Sequence, residues 1–536
     1  MNRWKPLIVL GTAQFLMVLD ASVMNVSISQ LVADFHTEVT TIQAVITLYT
    51  LVMAAFMLTG GKIGDMVGRR QVFVIGLVVY GIGSGLTALA PTVAVLALGW
   101  SVIEGLGAAL VLPALAALVA GSYQGRERAI AYGVVGGLAG AGIAVGPLLG
   151  GWVTTYLTWR LVFAGEVVLV VAILAVMRWV PAQPPPKVRP ALDVLGAALS
   201  AAGLALMVLA VLQSGTWGWV QPRNPPFTVL GFAPTLFAIG LGVVLLYLFS
   251  VHERHRERRG GTPLVSLDLF GNQPLRAGLV TLFNQNTVLL GLFFVIPLYL
   301  QVVQGLDAFQ TGLRLLPVSV AMLATSMCGS LLLRFASSRT IVRTGLLVLL
   351  AATLWLIAAI GPQLKGASFA GAMALLGVGM GMLASQLGNT VQSSVRTEER
   401  SEAGGLQYTA QNLGSSLGTA LIGALLIGAL AASVTTRIES DPRVSEAVAQ
   451  ETGTHVEAGV SFVPADQVAA DLAARTDIPP QEAEAIVGHY QDAQIQGLKS
   501  AVLACAIITG GALLFTRHLP TTRHLPTTRT APRPSG

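Results

Sequence analysis

An internal echo at an offset of 272 residues constrains this chain more than any other feature. The stretch Gly105-Leu-Gly107 through Ser122, Glu127-Arg128, Gly133, Gly142 and Gly146 recurs without a gap at Gly377-Val-Gly379, Ser394, Glu399-Arg400, Gly405, Gly414 and Gly418. Each copy is an apolar helix, a short charged turn and a second apolar helix rich in glycine. One hydrophobic helix pair used twice predicts two similar bundles in a membrane, and the activity that goes with such a frame is carriage across it.

The composition agrees with a membrane frame. Hydrophobic residues make up 54% of the chain, charged residues 11%, and mean hydropathy is +0.71, values outside the range of a soluble domain. Apolar runs long enough to cross a bilayer, about 20 residues each, occur fourteen times. The first is read at 7–32, the fourth at 93–120, the thirteenth at 402–432 and the last at 497–516. The fold class is therefore all-α, a polytopic membrane protein of 14 transmembrane helices. The echo pairs spans 4 and 5 with spans 12 and 13, an offset of eight, so two six-helix bundles must be separated by two inserted helices.

The expected division is 1–180 for the N-terminal bundle, 181–260 for the linker helices 7 and 8, and 261–433 for helices 9 to 13. An acidic loop at 434–496, helix 14 at 497–517 and a tail at 518–536 complete it. That loop is read chiefly as a solvated tether outside the cell, with short amphipathic pieces. Lysine and arginine concentrate in alternate loops, including Lys62, Arg69, Arg70, Arg126, Arg128 and the run Arg254 to Arg259, which predicts both termini on the cytoplasmic side of the plasma or inner membrane. The net charge of +6 is thus a topology signal, and no nucleic acid partner is expected. The first span is too long for a signal peptide and carries Asp20 at its centre. Cys328 and Cys505 both lie within spans, so neither a disulfide nor a thiolate metal site is expected.

Three motifs then carry a resemblance. Gly61-Lys-Ile-Gly64-Asp65-Met-Val-Gly68-Arg69-Arg70, between spans 2 and 3, resembles the signature loop of the major facilitator superfamily. Gly140 to Gly151 on span 5, with Gly142, Gly146, Pro147 and Gly150, is similar to its antiporter motif. Leu19-Asp20-Ala-Ser22-Val-Met-Asn25-Val26 on span 1 resembles the motif of its 14-helix drug:proton antiporter branch. The resemblance implies proton-driven export of small hydrophobic or cationic compounds such as antibiotics and dyes. Two departures stand out. Ser27-Ile28-Ser29 replaces the usual Ala-Leu-Pro, which removes a proline bend, and span 4 has Ser101 and Glu104 where the family places an arginine and a glutamine.

The residues support distinct roles. An ionised carboxylate at a helix centre costs about 2.5–3.5 kcal/mol on insertion scales, so Asp20, Glu104 and Glu166 are the candidates for proton coupling. The bland alternatives are a hydrogen-bonded structural acid facing Ser101 or a polar neighbour for Glu104, and for Glu166 an ion pair near the outer surface, with Arg160 the nearest basic residue in sequence. Gly61, Gly64, Asp65, Gly68, Arg69 and Arg70 are read as a conformational latch, with glycines permitting tight approach. Gly142, Gly146 and Gly150 repeat every four residues on one helix face, and with Pro147 and Gly151 they are read as a hinge. Gly418, followed by Thr419, is expected to matter less than Gly146. Gln14, Asn25, Asn284, Asn286, Gln407 and Gln411 are candidates for the substrate cavity.

No cofactor and no metal is expected, and no Gly-x-x-x-x-Gly-Lys-[Ser/Thr] loop is present to drive an ATP-dependent pump. The expected partners are a small-molecule substrate, protons and the lipid bilayer, with the monomer as the functional unit. An enzyme is excluded by the absence of a clustered nucleophile or metal set. An exporter of lipid or of an endogenous metabolite, and a non-transporting sensor on the same frame, stay open as alternatives.

Overall fold

The computed structural model describes residues 2–37, 39–182, 192–222, 225–333, 335–445, 462–474 and 479–519. Among the described residues no strand forms; the isolated bridge between Val229 and Phe232 closes a loop. Among those residues thirteen helices are long and apolar enough to cross a membrane. An α-helix of 16 residues, Arg160–Ala175, is followed by a 3₁₀ turn at Met177–Trp179 and supplies the fourteenth span.

In chain order the helices are α1 (Lys5–Val26), α2 (Ile28–Phe35), α3 (Val39–Val67), α4 (Arg69–Ala88), α5 (Val93–Leu96), α6 (Gly105–Ser122), α7 (Gly125–Tyr156), α8 (Arg160–Ala175), α9 (Val194–Trp217), α10 (Pro234–Arg258), α11 (Gln273–Leu298), α12 (Ala308–Leu332), α13 (Ser338–Ala359), α14 (Gly366–Ser393), α15 (Arg400–Ser440), α16 (Ala465–Ala473) and α17 (Pro480–Phe515). A π-helical stretch, Ala97–Glu104, joins α5 to α6, and another, Tyr299–Val303, follows α11.

The structure revises three spans. The expected first span, 7–32, is broken at Ser27, whose hydroxyl donates to Val23 O (3.0 Å) and whose N–H reaches Val23 O and Met24 O. Serine offers the backbone a local alternative to the helical ladder, so the chain breaks here without the proline. The expected fourth span is continuous in direction but π-helical through its first half. The loop expected at 434–496 is partly helical. α15 runs on to Ser440 and α17 begins at Pro480, and Val434, Ile438, Val444, Ile486 and Tyr490 form a small apolar cluster of their own with Val468 and Leu472 of α16 against it.

Apolar packing falls into two large clusters. One gathers α1 to α8, from Leu7 to Val180, and takes from elsewhere only Tyr408. The other gathers α11 to α15 and α17 together with Leu204, Phe249 and Leu58. Arg3 and Thr516, near the two ends of the described chain, lie at one face, which we call the terminal face. Tyr123 OH donates to Arg3 O there (3.3 Å), and Arg343 Nε to Thr516 Oγ1 (2.9 Å). At the opposite, distal face, Arg160 and Trp159 Nε1 each reach Asp34 Oδ2 at 2.8 Å.

The echoed glycines meet echoed helices. A Cβ on Gly107 would press on Tyr80 of α4, and one on Gly379 would press on Gly345 O and Leu349 of α13. Gly142 and Gly146 face Val18 and Ser22 of α1, as Gly414 and Gly418 face Phe283 and Thr287 of α11. Gly133 abuts Ser326 O of α12, and Gly405 abuts Met57 O of α3. Backbones approach this closely only where no side chain intervenes, so the repeated sequence encodes a repeated set of helix contacts.

Candidate functional site

The three intramembrane carboxylates, distant in sequence, converge. Asp20 on α1, Glu104 at the end of the π-helical stretch and Glu166 on α8 each place a carboxylate oxygen within 4.8 Å of the other two. All three are buried, with exposures of 1%, 0% and 2%. Trp100 Nε1 donates to Asp20 Oδ1 at 2.9 Å, and the Trp100 ring stacks on Tyr49 at 4.6 Å. Ser84 Oγ donates to Glu166 Oε2 at 2.8 Å, and Tyr80 OH to the same oxygen at 3.4 Å. Asp20 Oδ2, Glu166 Oε1 and both oxygens of Glu104 accept no hydrogen bond.

Neither Ser101 nor Arg160 is the partner of these acids, while Glu104 has polar neighbours in Asp20 and Glu166. Ser101 Oγ donates to Val45 O (2.7 Å) and not to Glu104, and Arg160 is engaged by Asp34 and Ala90 O. Three carboxylates packed together without a basic partner repel one another, and burial adds to the cost of charge. Such a cluster is chemically suited to taking up and releasing protons. The π-helical stretch is what sequence reading missed. A wider turn changes the register between Trp100 and Glu104, and Gly83 and Gly99 let it lie against α4, where a Cβ on Gly83 would meet Glu104 N at 2.7 Å. Paired glycines beside a glutamate were the available signal.

Of the residues read as a latch, Arg69, Gly61 and Gly64 meet the start of α15 across the molecule. Arg69, 8% exposed, donates through Nε to Ser401 Oγ (2.7 Å) and through Nη2 to Thr397 O (2.5 Å), and lies 3.5 Å from Asp65 Oδ1. Gly61 packs on Ser401 O and Gly64 on the Ser401 side chain. Gly68 turns the chain with φ of +110°, a conformation that glycine adopts without strain. Arg70 stays within its own bundle and donates to Met177 O at 3.3 Å.

The hinge glycines form a close-packed face against α1. A Cβ on Gly150 would meet Val23 at 3.0 Å, and Gly146 lies against Ser22, whose Oγ donates to Ile143 O (3.1 Å). Gly151 O accepts from Thr154 Oγ1 at 3.3 Å. α7 continues through position 147, but the side chain of Pro147, like that of Asn25, lies outside the described residues.

Of the cavity candidates, Gln14 meets the helix that bears Gln407 and Gln411. Tyr408 OH donates to Gln14 Oε1 at 2.9 Å, and Asn412 Nδ2 lies 3.1 Å from Met57 Sδ. Gln407 is buried, with Oε1 unpartnered, while Gln411 is half-buried. Asn284 and Asn286 donate to Val280 O and Leu282 O of their own helix. The residue between them, Gln285, is the buried one, its Oε1 without a partner.

Comparison with known proteins sets this geometry in context. Residues 10–419 match the family model described as Major Facilitator Superfamily. The chain is similar to a probable actinorhodin transporter of Streptomyces coelicolor, at 30% identity over 88% of this chain and 79% of that protein. It is similar to the tetracenomycin C resistance and export protein of Streptomyces glaucescens, at 28% identity over 79% and 76%. The multidrug efflux pump LfrA of Mycolicibacterium smegmatis is 28% identical over 88% and 89%. Among solved structures, the human organic anion transporter MFSD10 superposes with a TM-score of 0.56 at 12% identity, covering 96% of this chain and 97% of that one, which supports the fold alone.

Proposed function

The chain belongs to the major facilitator superfamily, and from that premise we propose that it exports small hydrophobic or cationic compounds in exchange for protons. Membership makes it a multi-pass membrane transporter and not an enzyme. Export is the reading the relatives favour, since two of their names specify export of tetracenomycin C and multidrug efflux, beside a probable transporter of actinorhodin. The terminal face is the cytoplasmic face of the cell membrane, and a single chain is the working unit.

The observation that carries the proton reading is the Asp20–Glu104–Glu166 cluster. It lies inside the N-terminal bundle, within 4.8 Å oxygen to oxygen, while Gln14, Tyr408, Met57 and Asn412 meet where the bundles adjoin. Protons and substrate therefore occupy different places, and coupling is indirect. Protonation relaxes the repulsion among the carboxylates and biases how α1, α6 and α8 pack. The bundles then rock about the α1–α7 and α11–α15 glycine contacts, with Arg69 fastening the cytoplasmic side in one state. Loading or releasing protons changes which state is favoured, because a ligand shifts an equilibrium by its differential affinity for the two states.

The test is dye or antibiotic transport in proteoliposomes with and without an imposed pH gradient. Wild-type protein should move substrate uphill only with the gradient. Asp20→Asn should fold and insert but lose uphill transport, and Glu104→Gln and Glu166→Gln should each alter its pH dependence. Gradient-driven transport at wild-type rate in Asp20→Asn would overturn the assignment.

A further inference from the structure

Of the two inserted helices, α9 lies against the seam between the bundles. α9 packs on α10 and also on α3 and α15, one helix from each bundle, which meet at the terminal face where Arg69 of α4 reaches Asp65 of α3 and Ser401 of α15. The stretch after α10 turns back into this seam. Leu264, Val265 and Leu269 are buried, and they share an apolar cluster with Leu58 of α3, Leu204 of α9 and Phe249 of α10.

Two buried carboxylates hold that stretch by its backbone. Glu253 of α10 is wholly buried, and its Oε2 accepts from Leu264 N at 2.7 Å. Glu402 of α15, 7% exposed, accepts from Ser266 N. Lys62 of α3, 7% exposed, lies within electrostatic reach of Glu253, Glu402 and Asp65. Behind Glu253, Asp193 caps α9 by accepting from Gly196 N (2.9 Å) and pairs with His252 (2.9 Å) and Arg256 (3.4 Å). A Cβ on Gly196 would press directly on the Glu253 carboxylate. The line runs from α9 and α10 through residues 264–266 to Glu402, next to Ser401, the partner of Arg69.

We propose that α9, α10 and residues 262–269 form a clamp that holds the terminal side of the bundle seam closed, with Glu253 and Glu402 as its positioning residues. Each carboxyl is a buried acceptor for a backbone N–H, and removing the acceptor would leave that buried N–H unsatisfied, which is costly. The clamp bridges α3 and α15, so the bundles cannot part at this face until the Ser266–Glu402 contact opens. The inserted pair thus acts as part of the gate. This inference rests on the proposal that the bundles alternate.

The test reads seam opening directly in the full-length protein. Cys328→Ser and Cys505→Ser remove the native thiols, and Gln407→Cys places one at a buried position beside the seam. Its labelling by a maleimide is timed in liposomes. Glu402→Ala and Glu253→Ala should each speed labelling about tenfold, within the range of ordinary coupling energies. Glu402→Gln and Glu253→Gln, whose amide oxygen still accepts an N–H, should stay near the parent rate. Gly196→Ala removes no charge but displaces Glu253, and should speed labelling if the alanine variants fail to fold.

Arg69→Gln is the control for alternation. Faster labelling in Arg69→Gln together with the parent rate in folded Glu402→Ala, Glu253→Ala and Gly196→Ala would overturn the clamp and leave alternation standing. The parent rate in Arg69→Gln as well would overturn both.

Discussion

α7 and α15 are echoes of one another, and each crosses to the other bundle, yet the seams they make differ. α7 lies on α12 and α14 mostly through small residues, with Leu148 against Gly312 and Tyr132 against Gly388 as the larger contacts. Gly133 abuts Ser326 O, Gly136 meets Ala384 and Gly140 meets Met322, while Ser319 Oγ donates to Gly140 O at 3.3 Å. α15 lies on α3 and α6 through the same kind of contact, Gly405 on Met57 and Gly404 on Pro113, but adds a set of buried polar fastenings at its first turn. The echoed arginines make the contrast plain. Arg128 Nε donates to Tyr123 O in its own bundle, whereas Arg400 Nη1 crosses to Ala120 O. Shared backbone packing is thus the frame of both seams, and among the described residues the arginine hydrogen bonds that cross between bundles belong to the α15 seam.

Packing predicts the largest effects. Gly133 faces a backbone carbonyl that cannot turn aside, so Gly133→Ala should destabilise the folded protein by about 1–3 kcal/mol, the usual range for overpacking. Gly405, with 3.1 Å to Met57 O, should tolerate alanine better. Thermal unfolding in detergent checks the order, and a reversed order would mean that the α7 seam is the looser of the two. The sequence expectation for Gly146 and Gly418 is revised on the same ground. Gly418 meets the backbone of Thr287 and Gly146 the small side chain of Ser22, so Gly418→Ala should cost more stability, while Gly146→Leu remains the variant that should bind substrate and not transport it.

The polar fastenings come next. Arg69→Gln should lower transport about tenfold, a loss of about 1.4 kcal/mol, by weakening the closed state without unfolding the bundles. Arg400→Gln should lower it less, since one contact at 3.3 Å is lost, and Arg128→Gln least, because its contact stays within one bundle. Equal transport rates for the three variants would erase the distinction between the seams.

Much of this frame was legible from the chain. The echo at 272 residues predicted paired helices, and the fourfold glycine spacing predicted a close-packed face, because backbone contact needs a missing side chain and leaves its mark in composition. Asp20, Glu104 and Glu166 were each visible as charges out of place. Their meeting was not, because a period of 3.6 gives the face a residue occupies but not which helix faces it. The π-helical turn that aims Glu104 left only an indirect mark, the glycines Gly83 and Gly99 that let it lie against α4. Glu253 and Glu402 were hidden for a different reason. They sit at helix ends among other charges, where a solvated carboxylate is the ordinary expectation, and only the fold buries them. The break at Ser27 shows a local rule overriding the apolar pattern.

The smallest effect concerns length. The echo of Tyr156, where α7 ends, falls at Gly428, yet α15 continues to Ser440 and carries the distal apolar cluster around Ile438, Ile486 and Tyr490. Asp441 follows at once. The Arg443 guanidinium (2.7 Å) and the Arg443 N–H (2.9 Å) hold its carboxyl well below the usual carboxylate range, with His489 at 2.6 Å. A carboxylate with a depressed folded value stabilises the fold above its unfolded value, near pH 4, and loses that contribution as pH falls through the folded value. The cap should therefore be firm at neutral pH and loosen only in strong acid, while Asp441→Asn should be loose at every pH. Hydrogen exchange of α16 and of residues 480–496 reads this, and transport in Asp441→Asn should match wild type, since the cap stands clear of both bundle seams. A transport defect in that variant would tie the extension of α15 to the gate and make the two echoed helices differ in mechanism along their whole length.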